Sequence, residues 1–357
     1  MLRLIRPYLV VMPLLMASFA AADVIRVPED VLSVQHAIDL AKAGDVVDIG
    51  PGRWRESIDL KGKSILVKGR DGAAATILDA SSRADSVVRC MTAEGPGTVL
   101  EGLTFTGGTG HRGLRGTDTE LGGGLIAIAA SPTIRACVFR DNTVTHNGGG
   151  AYCGSGANVR FEKCHFVRNS AEKGGGVLSV ASRPVMVHCT FESNAASYCG
   201  GGLFAAKGSA PVLRGCTFLT NSAAYQGGGA CSLDSSGEIL ASTFERNRAG
   251  SHGGAVYFGF RTLMTASSCE FKTATDTVDG VDVVARADAR RGACDLGEGI
   301  CVVSEQQDCE AAGGLFRGPG THCVQRGAVE QARRGGDLDK DGRIDRRDLA
   351  ILMLLWR

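Results

Sequence analysis

Residues 137–150 read Cys137-Val-Phe-Arg-Asp-Asn142-Thr-Val-Thr-His-Asn-Gly148-Gly-Gly150, and this stretch contains the marks of a unit that recurs along the middle of the chain. Each unit starts with Cys-x-Phe or, once, Ser-x-Phe, and in all but the last an Asn follows the Phe by three residues. The starts are Cys137, Cys164, Cys189, Cys216, Ser242 and Cys269. The glycine runs begin at Gly122, Gly148, Gly174, Gly200, Gly227 and Gly253, with spacings of 26, 26, 26, 27 and 26 residues. So constant a period predicts a solenoid of stacked coils, one unit to a coil.

The residues between these marks indicate the type of coil. Short β-prone runs such as Val159-Arg-Phe161 alternate with glycine and small polar residues, and no run within a unit is long enough for a stable helix. Two or three short strands in a coil of about 26 residues are what a parallel β-helix requires, with coils roughly 4.8 Å apart. The sequence therefore predicts an all-β fold, a parallel β-helix whose glycines supply positive φ at corners.

Stacking of the coils creates columns of equivalent residues. We expect the Phe column to stack in the interior and the Asn column, from Asn142 to Asn247, to form a hydrogen-bonded ladder that satisfies the turn backbone. Equivalent Cα atoms of neighbouring coils lie within disulfide range, but their Cβ vectors run parallel. We therefore interpret the repeated cysteines as buried small hydrophobic residues, namely Cys137, Cys164, Cys189 and Cys216.

These marks also resemble a known repeat. Phe-x-x-Asn at Phe139 to Asn142 and Phe244 to Asn247, and Gly253-Gly-Ala-Val256, resemble the repeat of chlamydial polymorphic outer membrane proteins. More broadly, the chain resembles right-handed parallel β-helix proteins of the pectate lyase-like superfamily. The resemblance implies a right-handed solenoid, which we assign to residues 23–284.

Residues 1–22 have the composition of a secretory signal peptide. Arg3 and Arg6 supply the positive charge, residues 9–19 form the apolar segment, and three alanines at 20–22 form a small-residue cleavage site. The alternative, a membrane anchor, would need an apolar run of ~20 residues. We therefore expect cleavage at that site and a secreted, extracellular or cell-surface location.

The charge balance gives no electrostatic case for nucleic acid. The chain has 39 basic and 38 acidic residues, and loss of the signal peptide removes two basic ones, so 37 face 38 and the mature net charge is about −1. A nucleic acid or an anionic membrane is thus not an expected partner. No other stretch is apolar enough to cross a bilayer, so the mature chain is expected to have no transmembrane segment.

The first coils contain the one predicted helix of the solenoid. Ser33 is a candidate N-cap, with a helix from Val34 to about Lys42 and Gly44 as its stop. Such a capping helix would cover the open end of the solenoid. Residues 45–56 and 61–67 resemble the N-terminal coils of pectinesterases and of periplasmic β-helix copper-protein maturation factors, in which they are framework and imply no active site.

One interval is longer than the others. Phe105 to Phe139 spans 34 residues, and the excess lies near the polar segment 111–120. Loops that project from a solenoid often hold functional sites, while the simpler interpretation is a solvated excursion.

No catalytic residue is identified from the sequence. No cluster of aspartates recurs at the coil spacing to hold Ca²⁺ against a uronate, and the residue sets of polygalacturonases and pectinesterases are not found. Scattered candidates exist, but no two of them share a column with a carboxylate. These are His146, His165, Arg168, Lys173, His188 and His252.

Residues 285–330 change character and form a small Cys-rich module. They contain four cysteines and little core-forming sequence, which in an exported chain favours two disulfides. A zinc site is the alternative, although no Cys-x-x-Cys pair is present. The cysteines are Cys294, Cys301, Cys309 and Cys323.

Residues 335–357 contain the sharpest motif, a calcium-binding loop followed by a helix from Leu349. Carboxylates stand at loop positions 1, 3, 5, 9 and 12, Gly342 is at the sharp turn, and the Arg343 carbonyl is at position 7. Ca²⁺ is therefore the expected cofactor, with its metal ligands at Asp337, Asp339, Asp341, Arg343, Asp345 and Asp348.

This EF-hand-like loop resembles a type I dockerin repeat, because position 12 is Asp instead of Glu. Dockerins carry two such segments and often have small hydroxyl residues at positions 10 and 11, where this chain has one segment with Arg346 and Arg347. A cohesin-like partner is therefore doubtful. A calcium-stabilised C-terminal cap and a docking module both stay open.

Together these features predict an exported, calcium-binding, right-handed β-helix protein that acts in binding or adhesion, with polysaccharide or a cell-surface protein as its partner. The alternative is a polysaccharide lyase or glycoside hydrolase of the pectate lyase-like superfamily, and a third hypothesis is a structural surface-layer component. A carboxylate cluster on one coil face near residues 111–120 would favour the enzyme, whereas a smooth polar face without a pocket would favour binding or structure.

Overall fold

The chain winds into a parallel β-solenoid of about ten turns. The computed structural model describes residues 22–112 and 118–280, together with the backbone of strands at 291–297, 300–305 and 315–319. Successive coils contribute strands to the same three main sheets in the same order, and every strand pair within the solenoid is parallel. Parallel strands of successive coils lie about 4.8 Å apart, so each side chain stacks on its equivalent in the next coil.

The first sheet has ten strands. They are β1 (Val24–Val27), β2 (Val46–Ile49), β5 (Leu66–Gly69), β8 (Val99–Glu101), β11 (Thr133–Arg135), β14 (Arg160–Glu162), β18 (Val185–Val187), β22 (Val212–Arg214), β26 (Ser236–Leu240) and β30 (Leu263–Ser267). The second sheet has nine strands. They are β3 (Gly52–Trp54), β6 (Thr76–Asp79), β9 (Thr104–Thr106), β12 (Val138–Arg140), β15 (His165–Val167), β19 (Thr190–Glu192), β23 (Thr217–Leu219), β27 (Thr243–Glu245) and β31 (Glu270–Phe271).

The third sheet closes each coil and also has nine strands. They are β4 (Ile58–Asp59), β7 (Val88–Cys90), β10 (Leu125–Ile128), β13 (Ala151–Gly154), β17 (Val177–Val180), β21 (Leu203–Ala206), β25 (Ala230–Leu233), β29 (Val256–Phe258) and β32 (Val278–Gly280). A fourth, short sheet lies between the second and third in the later coils. Its strands are β16 (Ser170–Lys173), β20 (Ala195–Cys199), β24 (Ser222–Ala223) and β28 (Arg248–Ala249).

The interior contains the predicted Phe stack. Neighbouring rings are 4.6–5.1 Å apart between centroids, and from Phe139 onward they lie nearly parallel. The stacked residues are Phe105, Phe139, Phe166, Phe191, Phe218, Phe244 and Phe271. The expectation of an interior aromatic column is confirmed.

The predicted Asn ladder is also confirmed. Each side-chain amide donates to the carbonyl oxygen of a Phe on the preceding coil and to the Asn Oδ1 of the next coil, as Asn169 does to Phe139 and Asn194. All five asparagines are fully buried. At the end of the series, where Ala274 breaks the repeat, the Oδ1 of Asp276 accepts from Asn247 instead. A carboxylate oxygen thus terminates the ladder.

The repeated cysteines behave as the stacking geometry predicts. Cys137, Cys164, Cys189 and Cys216 are buried in the interior, and all four carry free thiols. Burial raises the pKa of Cys137 to about 12, which keeps that thiol protonated and unreactive.

The helix near the start is α1 (Val34–Leu40), with Ser33 at its N-cap. It packs Val34, Ala37 and Ile38 into the core and ends at Ala41, earlier than the sequence indicates. No helix in the described residues is of a length and hydrophobicity that would let it span a membrane.

Three further strands lie outside the solenoid: β33 (Arg291–Gly297), β34 (Ile300–Glu305) and β35 (Leu315–Pro319). They form an antiparallel sheet in the order β34-β33-β35. The predicted signal peptide at 1–22, the disulfides of the Cys-rich module and the calcium loop at 335–357 lie outside the residues whose side chains the structure describes.

Candidate functional site

The outer face of the third sheet carries a continuous column of side chains that point away from the core. Along strands β17 and β21, Val177 and Leu203 belong to the interior cluster, whereas their neighbours Leu178 and Phe204 belong to a second, separate cluster. Alternate residues of a strand face opposite sides of a sheet, so this second cluster lies outside the solenoid. The outer column consists of Asp59, Arg89, Ile126, Tyr152, Leu178, Phe204, Cys231, Tyr257 and Asp279.

The glycine corners fold the chain back over this face. Gly200 has a φ of +70°, and a Cβ placed there would lie 2.7 Å from the Cβ of Phe204. Gly227, one coil later, would place its Cβ 2.6 Å from that of Cys231. The corner is therefore concave on its outer side, and this close approach is why glycine recurs there. Cys199 lies just before the corner and belongs to the outer cluster.

At the N-terminal end of the column, charged side chains from three coils converge. Nη1 of Arg89 donates to Oδ2 of Asp85 at 2.5 Å, and Nη2 of Arg89 lies 3.5 Å from Oδ2 of Asp59. Nδ1 of His111 lies 2.8 Å from Oδ1 of Asp85. All four side chains are 20–29% exposed, so the cluster is accessible from solvent.

The Asp85–His111 contact assigns the tautomer of the imidazole. A carboxylate only accepts, so Nδ1 of His111 carries the proton in this contact, and in the neutral ring Nε2 is left as the basic nitrogen. An imidazole held by an Asp in this way is the arrangement by which general bases are oriented in many hydrolases.

His111 also stands at the base of the projecting loop that the sequence indicates. Its backbone pairs with Leu121 in an antiparallel bridge, so the chain leaves the solenoid at His111 and rejoins it at Leu121. Residues 113–117 of this loop are outside the described part of the chain.

Glu120 holds the loop base together. Nε of Arg112 donates to its Oε1 at 2.8 Å, the backbone N–H of Thr145 donates to its Oε2 at 3.1 Å, and its own N–H donates to Nδ1 of His146 at 3.3 Å. Burial raises the pKa of the Glu120 carboxyl, but the hydrogen bonds from Thr145 and Arg112 outweigh that effect and leave the pKa below its usual value of 4.5.

A cavity of about 520 Å³ adjoins the charged cluster. Its lining consists only of polar and charged side chains, namely Ser33, Gln35, Glu56, Ser57, Arg83 and Asp85. Oε1 and Oε2 of Glu56 accept from the first backbone N–H groups of α1, so that carboxylate is already engaged. The buried Oγ of Ser57 has no hydrogen-bond partner among the described residues.

The scattered sequence candidates do not converge on this cavity. Nε2 of His165 lies 2.9 Å from Oε2 of Glu192, and Arg168 binds Asp141 through two hydrogen bonds of 2.8 and 2.9 Å. His165 and Arg168 thus each meet one carboxylate on an adjacent coil. Arg168 follows Val167, the register partner of Arg140, and is therefore directly opposite Asp141. His165 reaches diagonally to Glu192, whose register partner is Val167.

The others have different surroundings. Nζ of Lys173 pairs with Glu172 at 2.9 Å and stands 5.5 Å from the ring centroid of Tyr198. Nδ1 of His252 is 2.5 Å from the hydroxyl of Ser251. Neither Lys173 nor His252 lines the cavity beside the charged cluster.

Sequence reasoning missed Asp59, Asp85 and Arg89, although one signal was available. Asp85 and His111 are 26 residues apart, which is the coil period. The coils before Gly122 lack the glycine runs that mark the register, so this spacing could not be recognised as a column.

No group of three or more His, Cys, Asp or Glu side chains in the described residues has the arrangement of a metal site. The six expected calcium ligands, from Asp337 to Asp348, lie outside those residues.

The family model described as right handed beta helix region matches residues 121–272. The solenoid is therefore a right-handed parallel β-helix. No curated protein sequence matches the chain.

Several solved structures are similar to this one. Pectin methylesterase from carrot aligns at 13% identity over 74% of this chain and 89% of that chain, with a TM-score of 0.41. A tailspike protein from Acinetobacter baumannii bacteriophage Fri1, described as a capsular polysaccharide depolymerase, aligns at 14% identity over 74% of this chain and 51% of that chain, with a TM-score of 0.43. Pectin methylesterase from Yersinia enterocolitica aligns at 12% identity over 78% and 87% of the two chains, with a TM-score of 0.34.

Proposed function

We propose that this chain is a polysaccharide-binding β-helix protein that holds its ligand along the outer face of the third sheet. The observation that carries the proposal is the cavity at one end of that face, which is lined only by polar and charged side chains. A sugar presents hydroxyl groups that both donate and accept, and the hydroxyl, amide, carboxylate and guanidinium groups of this lining match them.

Beyond the cavity the central side chains of the outer column are buried, so an extended chain would lie over the exposed residues beside them. Equivalent residues recur at each coil, about 4.8 Å apart, which is comparable to the length of one sugar residue. Exposed rings of Tyr198 and Tyr225 stand on successive coils beside the column, 38% and 55% exposed, with centroids 5.4 Å apart. Tyrosine rings offer an apolar face to the C–H side of a sugar and a hydroxyl to its rim.

Retention on a panel of neutral and acidic polysaccharides, by affinity electrophoresis and calorimetry, tests this function. Arg83→Ala removes a cavity side chain whose one described contact is a 3.4 Å hydrogen bond to the Arg55 carbonyl, so we expect an intact fold and at least tenfold weaker binding. Arg183→Ala, an exposed arginine on a different strand connection, is the matched control and should bind normally. Equal affinity of both variants on every bound glycan, or no retention at all, would contradict the proposal.

A second candidate, polysaccharide cleavage, is favoured by the Asp85–His111 pair beside the projecting loop. His111 would accept a proton at Nε2, Asp85 would orient the ring, and Arg89 would hold Asp85 in place. A lyase or a hydrolase would release unsaturated products or new reducing ends from one polysaccharide. His111→Ala, outside the cavity lining, should then abolish product while retention persists, and Asp85→Asn should abolish product as well. Product formation unchanged in both variants would exclude this role for the pair.

We also propose export through the signal peptide at 1–22 and Ca²⁺ binding by the loop at 337–348, both supported by sequence alone. Calcium should raise the melting temperature of the C-terminal segment, and Asp337→Ala with Asp341→Ala should remove that response. Glu330→Ala, outside the motif, should keep it. A wild-type melting curve that calcium leaves unchanged would refute the cofactor.

A further inference from the structure

Two cysteines outside the repeated interior column meet in the concave corner of the outer face. Cys199 ends strand β20 in one coil, and Cys231 lies in β25 of the next coil. Together with Leu178 and Phe204 they form the buried centre of the outer cluster. Both thiols are free, and their exposed fractions are 0% and 2%.

The register of the coils explains how they meet. Cys199 is bridged to Gln226 and Cys231 pairs with Phe204, so the two cysteines occupy different columns on adjacent coils. The corner at Gly227 then folds the segment that precedes it over Cys231, because the glycine position approaches the Cβ of Cys231. The side chains therefore converge on each other across the corner, unlike the parallel side chains of an interior column.

The surroundings of Cys199 favour a reactive sulfur. The hydrogen bond from the Cys231 thiol is the main cause that lowers the pKa of Cys199, the backbone of Gln226 adds to it, and the positive charge of Lys173 contributes. Burial opposes these effects at Cys199 and raises the pKa of Cys231. Cys199 is therefore the thiol that ionises more readily, and Cys231 stays protonated beside it.

The interior column provides the contrast. Cys189 and Cys216 also contact each other on adjacent coils, but their mutual hydrogen bond and burial raise the pKa of Cys216. These two sulfurs are in the core, shielded by the Phe stack and the sheets, and have no nearby positive charge among the causes that act on them.

We propose that Cys199 and Cys231 are an oxidisable thiol pair that reacts with hydrogen peroxide to form an intramolecular disulfide. The Cys199 thiolate attacks one peroxide oxygen, the O–O bond breaks, and the departing hydroxide takes a proton to become water, leaving a sulfenic acid. The sulfur of Cys231 then attacks that of Cys199, the S–O bond breaks, and a second water leaves with the thiol proton. The two thiols are oxidised by two electrons, and the peroxide is reduced to two waters.

The product would join two coils covalently. The bond closes a loop from Cys199 to Cys231, which includes one complete coil with its Phe and Asn positions. It ties the end of β20 in one coil to β25 in the next and restricts separation of these coils. Partly buried side chains pack against the cluster, Tyr257 and Leu233 among them, and small peroxide reaches the pair by their displacement.

Peptide mapping of the full-length protein tests the assignment. Chymotryptic cleavage after Tyr198 and Phe204, and after Tyr225 and Leu233, places Cys199 and Cys231 on two peptides that contain neither Cys189 nor Cys216. After peroxide treatment of the folded protein, we expect these two peptides to be linked, with a loss of two hydrogen atoms, and to resist alkylation. The interior cysteines should remain alkylatable after denaturation.

Two variants and a second readout complete the test. Cys231→Ser should leave Cys199 as a sulfenic acid that a dimedone probe labels, whereas Cys189→Ala should form the disulfide as the wild type does. Peroxide should raise the melting temperature of the wild type by several degrees and leave that of Cys231→Ser unchanged. Recovery of both peptides unlinked, linkage of either one to Cys189 or Cys216, or equal labelling in wild type and Cys231→Ser would overturn the proposal.

Discussion

The Nδ2 of Asn169 donates a hydrogen bond to the Oδ1 of Asn194, 3.0 Å away on the next coil. The same Oδ1 also accepts from the backbone N–H of Asn169 at 3.0 Å, so one buried oxygen satisfies two donors of the coil before it. The ladder therefore links coils through side chains at a corner where strand pairing is interrupted.

Replacement of one ladder residue should lower the free energy of unfolding. For Asn194, the preceding coil would keep two donors of Asn169 without their acceptor and the Phe166 carbonyl without its side-chain donor. We expect Asn194→Ala to lower the free energy of unfolding by about 2–4 kcal/mol, since buried donors and acceptors would lose their partners. Urea unfolding followed by circular dichroism measures this. Asn158→Ala, at an exposed position, should change stability by no more than about 0.5 kcal/mol, and an equal loss in both variants would contradict the ladder's role.

The Phe stack makes a similar prediction for apolar contacts. Phe191 is fully buried between Phe166 and Phe218, with ring centroids 5.0 and 4.6 Å away. Phe191→Ala should lower the free energy of unfolding by about 3–5 kcal/mol, and Phe191→Leu by less, because the leucine fills part of the cavity. Phe260→Ala is the comparison, since that ring is 62% exposed and should contribute little. Urea unfolding should show the largest loss of stability for Phe191→Ala, a smaller loss for Phe191→Leu and the smallest for Phe260→Ala. Any other order would contradict the packing of the stack.

The glycine corners predict a steric effect that depends on position. A Cβ at Gly228 would lie 2.3 Å from the Arg248 carbonyl oxygen and 2.5 Å from that of Gly254, both backbone atoms of the next coil. Gly228→Ala should therefore destabilise the solenoid by more than about 3 kcal/mol or prevent folding. Gly95→Ala is the control, because its added Cβ meets no atom within 4 Å. Equal free energies of unfolding for Gly228→Ala and Gly95→Ala would refute the close approach of the coils.

Glu120 predicts a pH dependence at the base of the loop. Its folded-state pKa is below the unfolded value, so the stability it contributes is fully present above about pH 4.5 and is lost as the pH falls through the folded pKa. Glu120→Gln should lower the melting temperature by a few degrees at pH 7, and the difference from wild type should shrink below pH 4. Thr119→Ser serves as a neutral control on the same loop. A difference that is constant from pH 7 to pH 3 would show that the carboxylate charge is not involved.

Much of the solenoid could be predicted because each coil contacts only its neighbours. A residue that faces the interior must repeat at the coil period, and the Phe, Asn and Cys columns therefore stand out in the sequence. The corner at Asp276 could not be predicted, since the ladder ends there on a residue that belongs to no column. The pairing of His165 with Glu192 also escaped prediction because the contact runs diagonally between coils.

The residues of the candidate site could not be grouped from the sequence, and the reason differs from that for the diagonal contact. Asp59, Asp85, Arg89 and His111 belong to the early coils, whose lengths vary and whose sequence lacks the glycine runs. Only the observed register, in which Asp59 pairs with Arg89, brings them to one face.

The sequence by itself determined the repeat, the inward columns and the place where a loop leaves the solenoid, because stacking of identical coils imposes one period on all interior positions. The tertiary structure decided which outward side chains meet. Outer positions carry no such periodic constraint, so the convergence of Asp85 with His111, and of Cys199 with Cys231, follows only from the path of the chain around each corner.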